Sequence, residues 1–117
     1  MYFKDDYHKQ LANKLMKAFG YGSLQDDKCC GSFSYLAAAT YKEDILLESI
    51  SSNGLLNYKV LMTSMTVFSS SEQAMLRFSA QLYNSAIDNI TLEDALRHLD
   101  EENKRVLSDA LRFRYNI

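Results

Sequence analysis

Four side chains of this sequence belong to types that bind transition metals or act as nucleophiles: Cys29, Cys30, His8 and His98. Zinc sites usually separate paired cysteines by about two to four residues, so that both thiolates reach one tetrahedral ion. The two cysteines here are adjacent, and neither histidine has a second histidine one helical turn away. We therefore expect no metal and no other cofactor, and we expect both histidines to face solvent or to support neighbouring groups.

Covalent and phosphate chemistry also lack their usual motifs in this chain. A nucleophilic serine or cysteine needs a histidine and an orienting acid beside it, and no nucleophile elbow marks such a residue. The GYG at 20–22 has neither the spacing nor the preceding strand of a phosphate-binding loop. The sequence therefore predicts a protein that is not an enzyme.

Charge is unevenly distributed near the end of the sequence. Six acids accompany one arginine between residues 88 and 103, and the stretch that follows is basic. The acidic beginning and the basic end of one helix would account for this pattern. A functional alternative is a surface for a charged partner, for which the candidates are Asp100, Glu101, Glu102, Arg112 and Arg114.

Nucleic-acid binding is the alternative function of the basic residues. It would need Arg112 and Arg114 on one exposed face of the last helix, behind a helix-turn-helix. The three acids at 100–102 would then approach the phosphates. The whole chain has thirteen basic and fifteen acidic side chains and a net charge of −2. Both observations disfavour a nucleic-acid partner.

Tyrosine is abundant, with eight copies and no tryptophan in the chain. Tyrosine is favoured at protein interfaces, because its ring is large and its hydroxyl is polar. The copies outside or at the ends of predicted helices are therefore interface candidates: Tyr2, Tyr21, Tyr41 and Tyr115. We expect Tyr35 and Tyr83 to lie in the core with bonded hydroxyls, and a homodimer would account for the surplus of tyrosine.

Composition indicates the fold class and the compartment. The 117 residues are enough for one domain, 1–117, and the chain has no proline and only four glycines. Few turn-forming residues favour helices over a β-sandwich or a barrel. Adjacent thiols without a third cysteine, a charged beginning and no membrane-length apolar run predict a cytoplasmic protein without a membrane segment.

Apolar residues recur along the chain at the spacing of a helix, and these helices must position the side chains named above. Helices are predicted at about 5–19, 43–50 and 91–99, and from 100 onward, with residues 21–31 as the longest loop. The apolar run 32–40 fits a buried strand, but its three alanines prefer a helix. Both a helix and a short extended piece fit 55–68.

The helix with the strongest start signal follows Ser69. Ser69 and Glu72 match a capping box, and apolar residues on two faces predict a helix near residues 70–86 at the centre of the molecule. The expected fold is therefore an all-α compact bundle of about five to seven short helices around this central helix.

Four segments of the chain together resemble a group of small Firmicute phage and mobile-element proteins. They are YFKDDYH, SFSYLAAAT, SSSEQAMLRFSAQLYN and LDEENKRVLSDALRFRY, and they cover most of the chain in order. The resemblance implies a cytoplasmic, non-enzymatic accessory role and supplies no functional residues. Small phage proteins of this kind often bind host or defence proteins, for example as CRISPR inhibitors.

The leading hypothesis is therefore a non-enzymatic protein-binding accessory factor of a phage or mobile element, which binds a host or defence protein such as a CRISPR nuclease. The alternative is a nucleic-acid-binding regulator that uses the basic C-terminal helix.

Overall fold

Seven α-helices and two short 3-10 turns make up the regular structure, and the computed structural model describes all residues from 1 to 117. An isolated bridge between Ile50 and Leu56 is the only extended pairing. The helices are α1 Asp6–Phe19, α2 Lys28–Ala38, α3 Glu43–Glu48, α4 Tyr58–Ser64, α5 Ser70–Tyr83, α6 Leu92–Arg97 and α7 Glu101–Tyr115. The predicted all-α bundle of five to seven helices is confirmed.

Most helices begin where the sequence provides a side-chain cap. The Asp5 carboxylate accepts the backbone N–H of His8 at 2.8 Å, and Asp100 accepts that of Asn103 at 2.8 Å. The capping box of Ser69 and Glu72 is present at the start of α5. These bonds satisfy amides that the first turn of a helix leaves free, and for that reason they fix where each helix begins.

Two predicted boundaries were wrong. The segment 21–31 is not one long loop, because Leu24–Asp26 forms a 3-10 turn and α2 already begins at Lys28. The Asp27 carboxylate caps α2 by accepting the backbone N–H of Cys30 at 2.8 Å. The helix α5 ends at Tyr83 and not near residue 86, since Asn84 is extended.

The most enclosed helix is α2, although the sequence favoured α5 as the centre. Nine of the eleven residues of α2 are buried, against seven of the fourteen in α5. Neighbours approach α2 closely because it contains small residues: a Cβ at Gly31 would lie 2.3 Å from the Leu24 carbonyl oxygen and 2.8 Å from the Phe113 ring. Small residues carry little of the apolar signal by which a central helix is recognised.

Two buried clusters meet at α2. The first includes Leu15, Phe33 and Leu61 and lies mainly among α1 to α4. The second includes Tyr35 and Leu107 and lies among α2, α5, α6 and α7. Both halves of the chain therefore depend on one helix for their core.

Residues 1–5, here called the N-terminal strap, cross the second cluster. The Phe3 ring packs edge-on against the rings of Tyr35 and His8, with centroids 5.4 and 5.1 Å apart. The Tyr35 hydroxyl donates a hydrogen bond to the Tyr2 carbonyl. The strap is thereby fastened to the buried face of α2.

The segment 55–68, for which two conformations were open, contains both. Residues 58–64 form α4, capped by Asn57, and the 3-10 turn Met65–Val67 follows. Phe68 then adopts an extended conformation that leads into α5. None of the helices has the length and apolarity needed to cross a membrane.

Candidate binding groove

Two of the predicted interface residues, Tyr2 and Glu102, bond each other within the chain and not a partner. The Tyr2 hydroxyl donates to Glu102 Oε2 at 2.8 Å, and this bond raises the pKa of Tyr2. The Tyr2 backbone N–H donates to Asp109 Oδ2 at 2.9 Å, and the Arg105 guanidinium lies 3.9 Å from the centroid of the Tyr2 ring. The polar atoms of this tyrosine and one face of its ring are therefore already occupied.

The other two predicted acids act locally. Asp100 caps α7, and the exposed Glu101 lies 3.4 Å from the Lys104 ammonium one turn further along the helix. Helix initiation accounts for Asp100, and an ion pair this exposed contributes little to stability. These acids form no concave site.

Arg112 and Arg114 do not share an exposed face. They are two residues apart on α7, which places them on different sides of the helix. Arg112 is exposed, whereas Arg114 is half-buried and donates from Nε to the Leu82 carbonyl at 2.9 Å. Its guanidinium also lies 5.0 Å from the centroid of the exposed Tyr115 ring. The geometry required for a nucleic-acid surface on this helix is not met.

Tyr21, the predicted interface residue near the start of α2, also makes its contacts within the chain. The Tyr21 hydroxyl donates to Asp27 Oδ2 at 3.3 Å, and its ring packs against the first core cluster. The nearby acid raises the pKa of Tyr21.

Tyr41 lies in the turn between α2 and α3 and has an unusual backbone. Its φ is 61°, in the left-handed region that bulky residues rarely adopt. Its hydroxyl donates to Asp5 Oδ2 at 2.7 Å, and desolvation raises the pKa of Tyr41. The ring nevertheless remains 38% exposed. The turn therefore presents an aromatic ring where glycine or asparagine would be the ordinary choice.

The ring of Tyr7, in the first turn of α1, stacks on Tyr41. Their centroids are 5.4 Å apart and their planes differ by 19°. The Tyr7 hydroxyl donates to Glu43 Oε1 at 3.1 Å, and Glu43 Oε2 accepts from the Lys14 ammonium at 2.9 Å. This ammonium lowers the pKa of Glu43. Each stacked ring is thus held by a carboxylate at its hydroxyl end.

These two rings form one wall of an open groove with a volume of about 570 Å³. We call it the tyrosine groove, and its lining is Tyr7, Tyr41, Lys42, Glu43, Asp44, Ile45 and Phe68. The Lys42 ammonium lies 4.6 Å from the centroid of the Phe68 ring and 3.3 Å from Glu72 Oε2. Segments from α1, the α2–α3 turn, α3 and the residue before the α5 cap therefore meet at one surface.

Sequence reasoning found only Tyr41 among the aromatic residues of this groove. Tyr7 precedes Leu11 by one helical turn, a spacing typical of a core position, but the residue is 43% exposed. Tyr7 is in the first turn of α1, beyond the end of the neighbouring helix α2. Its place at a helix end was the one signal available, whereas Phe68 gave none.

The two histidines differ, and each follows one of the two expected alternatives: His98 faces solvent, and His8 supports neighbouring groups. His98 is exposed, as expected, but His8 is completely buried. The Nδ1 atom of His8 accepts the Lys4 backbone N–H at 3.0 Å, so Nε2 carries the proton that is donated to the Tyr35 carbonyl at 2.8 Å. Desolvation lowers the pKa of His8, which keeps the ring neutral.

The cysteines are free thiols with different environments. Cys29 is half-buried, whereas Cys30 is buried and desolvation raises the pKa of its thiol to about 12. A thiol in that state is a poor nucleophile. No group of three or more potential metal-binding side chains comes together in the fold.

Comparison of this chain with protein families, with curated proteins and with solved structures finds no match. The tyrosine groove is therefore identified from its own geometry.

Proposed function

We propose that this chain is a non-enzymatic protein-binding domain and that the tyrosine groove is its binding surface. The observation that carries the proposal is the left-handed conformation of Tyr41, which presents a partly exposed ring beside Tyr7.

Contacts within the chain offset part of the cost of this residue, because the Tyr41 hydroxyl bonds Asp5 and its ring stacks on Tyr7. A bulky residue in the left-handed region costs about 1–3 kcal/mol, and such strain is concentrated at functional sites. Glycine or asparagine would form the same turn at lower cost. The benefit of Tyr41 must therefore come from its side chain, which makes these contacts and remains partly exposed to solvent.

The rings of the groove are already ordered before any partner arrives. Hydrogen bonds to Asp5 and Glu43 fix the hydroxyl ends of Tyr41 and Tyr7, and the rings stack on each other. Binding then orders few additional rotamers, which lowers its entropic cost. Ordered aromatic residues at the centre of a concave surface are typical of residues that dominate protein interfaces.

The partner that the phage and mobile-element resemblance implies is a host or defence protein, such as a CRISPR nuclease. An accessory factor of this kind would inhibit its partner by occupying a surface that the partner needs. The groove supports that role because it offers ordered aromatic anchors at an accessible surface.

The test is recovery of a stoichiometric partner from cells of the source organism by the tagged chain. The combined variant Tyr7→Ser and Tyr41→Asn is expected to lose that partner, whereas Tyr115→Ser, at an exposed ring outside the groove, is expected to keep it. Retention by the groove variant, with the fold checked by circular dichroism, would contradict the proposal.

A further inference from the structure

A cation of the chain lies over two of the three aromatic rings of the tyrosine groove, but not over the third. The Lys4 ammonium lies 5.4 Å from the centroid of Tyr41, and that of Lys42 lies 4.6 Å from the centroid of Phe68. No cation of the chain lies over Tyr7, which is the most exposed of the three rings. One face of the Tyr7 ring stacks on Tyr41, so only its other face can receive a cation.

The carboxylates of the groove also differ, because one of them has no ion-pair partner. Glu43 is paired with Lys14, and Lys42 with Glu72. Asp44, in the same lining, has neither an ion pair nor a hydrogen bond from its side chain. Asp44 is therefore the one charged side chain of the lining without a direct ion-pair partner.

We infer that the groove binds an arginine side chain of the partner protein, with its guanidinium stacked on Tyr7 and paired with Asp44. The inference rests on the proposed function, because it names the part of the partner that enters the groove.

A guanidinium group fits an aromatic ring and an unpaired carboxylate better than an ammonium or a carboxylate group does. It is planar and weakly hydrated, so it can lie on an aromatic ring and still donate two parallel hydrogen bonds to a carboxylate. An ammonium is compact and strongly hydrated, and a carboxylate would be repelled by Asp44. The position of Asp44 in the first turn of α3 explains why an acid occurs there, but it does not explain why Tyr7, in the same groove lining, has no cation over its ring.

The test is a nuclear magnetic resonance titration of the intact chain with three capped tripeptides, in which alanine flanks a central arginine, lysine or glutamate. The arginine peptide is expected to shift the amide signals of Tyr7, Tyr41 and Asp44 in a saturable way. Its Kd should be about fivefold lower than that of the lysine peptide, equivalent to about 1 kcal/mol. The glutamate peptide should not bind.

Matched variants locate the contact. Asp44→Asn should raise the Kd of the arginine peptide about fivefold, whereas Asp88→Asn removes the same charge from an exposed loop and should leave it unchanged. Tyr7→Ser should abolish binding, and Tyr7→Phe, which keeps the ring, should preserve it. Equal binding of the lysine and arginine peptides would overturn the inference, as would equal effects of the two aspartate variants.

The outcomes separate this inference from the proposed function. If no peptide binds while the groove variant still loses the cellular partner, the arginine inference fails and the proposed function stands. If the groove variant also keeps its partner, both fail. If light scattering shows a dimer that Asp44→Asn dissociates, the occupant is a second copy of this chain, and the inference of an arginine from a different protein is overturned.

Discussion

The N-terminal strap and the tyrosine groove both contain tyrosines whose hydroxyls bond carboxylates, but the two regions differ in what contacts the rings. At the strap, the Tyr2 hydroxyl bonds Glu102 and the Arg105 guanidinium lies against its ring. In the groove, Tyr7 and Tyr41 bond carboxylates in the same way, and yet their rings remain accessible.

This difference identifies where a tyrosine can bind a partner. A hydroxyl bonded to a carboxylate orders a ring in both regions, and only the neighbours of the ring decide whether it contributes to folding or is available at the surface. Tyrosine abundance by itself therefore could not separate the two regions. The predictions below test the division between a region that supports folding and a region that supports binding.

The largest expected effect is on the free energy of unfolding, which a substitution beneath the strap should lower much more than one in the groove. Tyr35 lies fully buried beneath the strap, so Tyr35→Ala should lower the free energy of unfolding by about 3–5 kcal/mol. Tyr7→Ala removes a partly exposed ring that stacks on Tyr41, and it should lower that free energy by only about 1 kcal/mol. Urea unfolding followed by circular dichroism measures both, and equal losses would remove the distinction.

The second expected effect is a pH dependence that arises at His8, whose ring packs against Phe3 of the strap. The pKa of His8 is lowered in the fold by desolvation, so the unfolded chain takes up a proton near pH 6.5 that the folded chain resists. Stability is therefore complete above about pH 6.5 and falls as the pH decreases from there toward the lower pKa of the folded state.

Urea midpoints between about pH 5.5 and 7.5 measure this dependence, because most carboxylates keep their charge in that range. The charged groups that act on His8 are Lys4, Asp5 and Glu102. His8→Gln should flatten the profile, whereas His98→Gln, at an exposed position, should leave it unchanged. A flat profile in the unaltered chain would contradict the assigned burial of a neutral ring.

A smaller effect is expected at the strained turn. Tyr41→Asn relieves the left-handed strain and removes the bond to Asp5, and these changes oppose each other. The free energy of unfolding should therefore change by less than about 1 kcal/mol, while partner binding is lost. Thermal unfolding and partner recovery, measured on one preparation, would show this separation. A large loss of stability would instead assign Tyr41 to folding.

The smallest effect concerns the charge of the groove. Lys14→Gln removes the partner of Glu43 and makes the groove more negative. Binding of the arginine peptide should tighten by about twofold or less at low salt, and the gain should disappear as ionic strength rises. The free energy of unfolding should change by less than about 1 kcal/mol, since Lys14 is exposed and Glu43 only half-buried. Weaker binding would indicate that Lys14 itself contacts the ligand.

The helices could be predicted from the sequence because their caps are local. Asp5, Ser69 and Asp100 each bond an amide three residues ahead, and that spacing is visible in the chain. The start of α2 has a cap of the same kind, Asp27 with the amide of Cys30, but Gly31 favoured a loop there. The glycine fits the helix because the Leu24 carbonyl and the Phe113 ring approach it closely.

The groove was harder to predict because its parts are distant in sequence. Tyr41 could be selected as a tyrosine at a helix end, but Tyr7 and Phe68 join it only after three segments have packed together. The burial of His8 depends in the same way on contacts with Tyr35, 27 residues away. Spacing along one helix cannot report contacts of this kind.

The position of α2 between the two buried clusters also has a consequence for how the molecule opens. Neither cluster can persist without this helix, so the two halves should unfold in one cooperative transition. Its backbone amides should exchange with deuterium only through global opening, whereas those of the peripheral α6 should exchange through local fluctuations. The turn that holds Tyr41 follows directly from the end of α2. The groove should therefore keep its shape for as long as the domain remains folded.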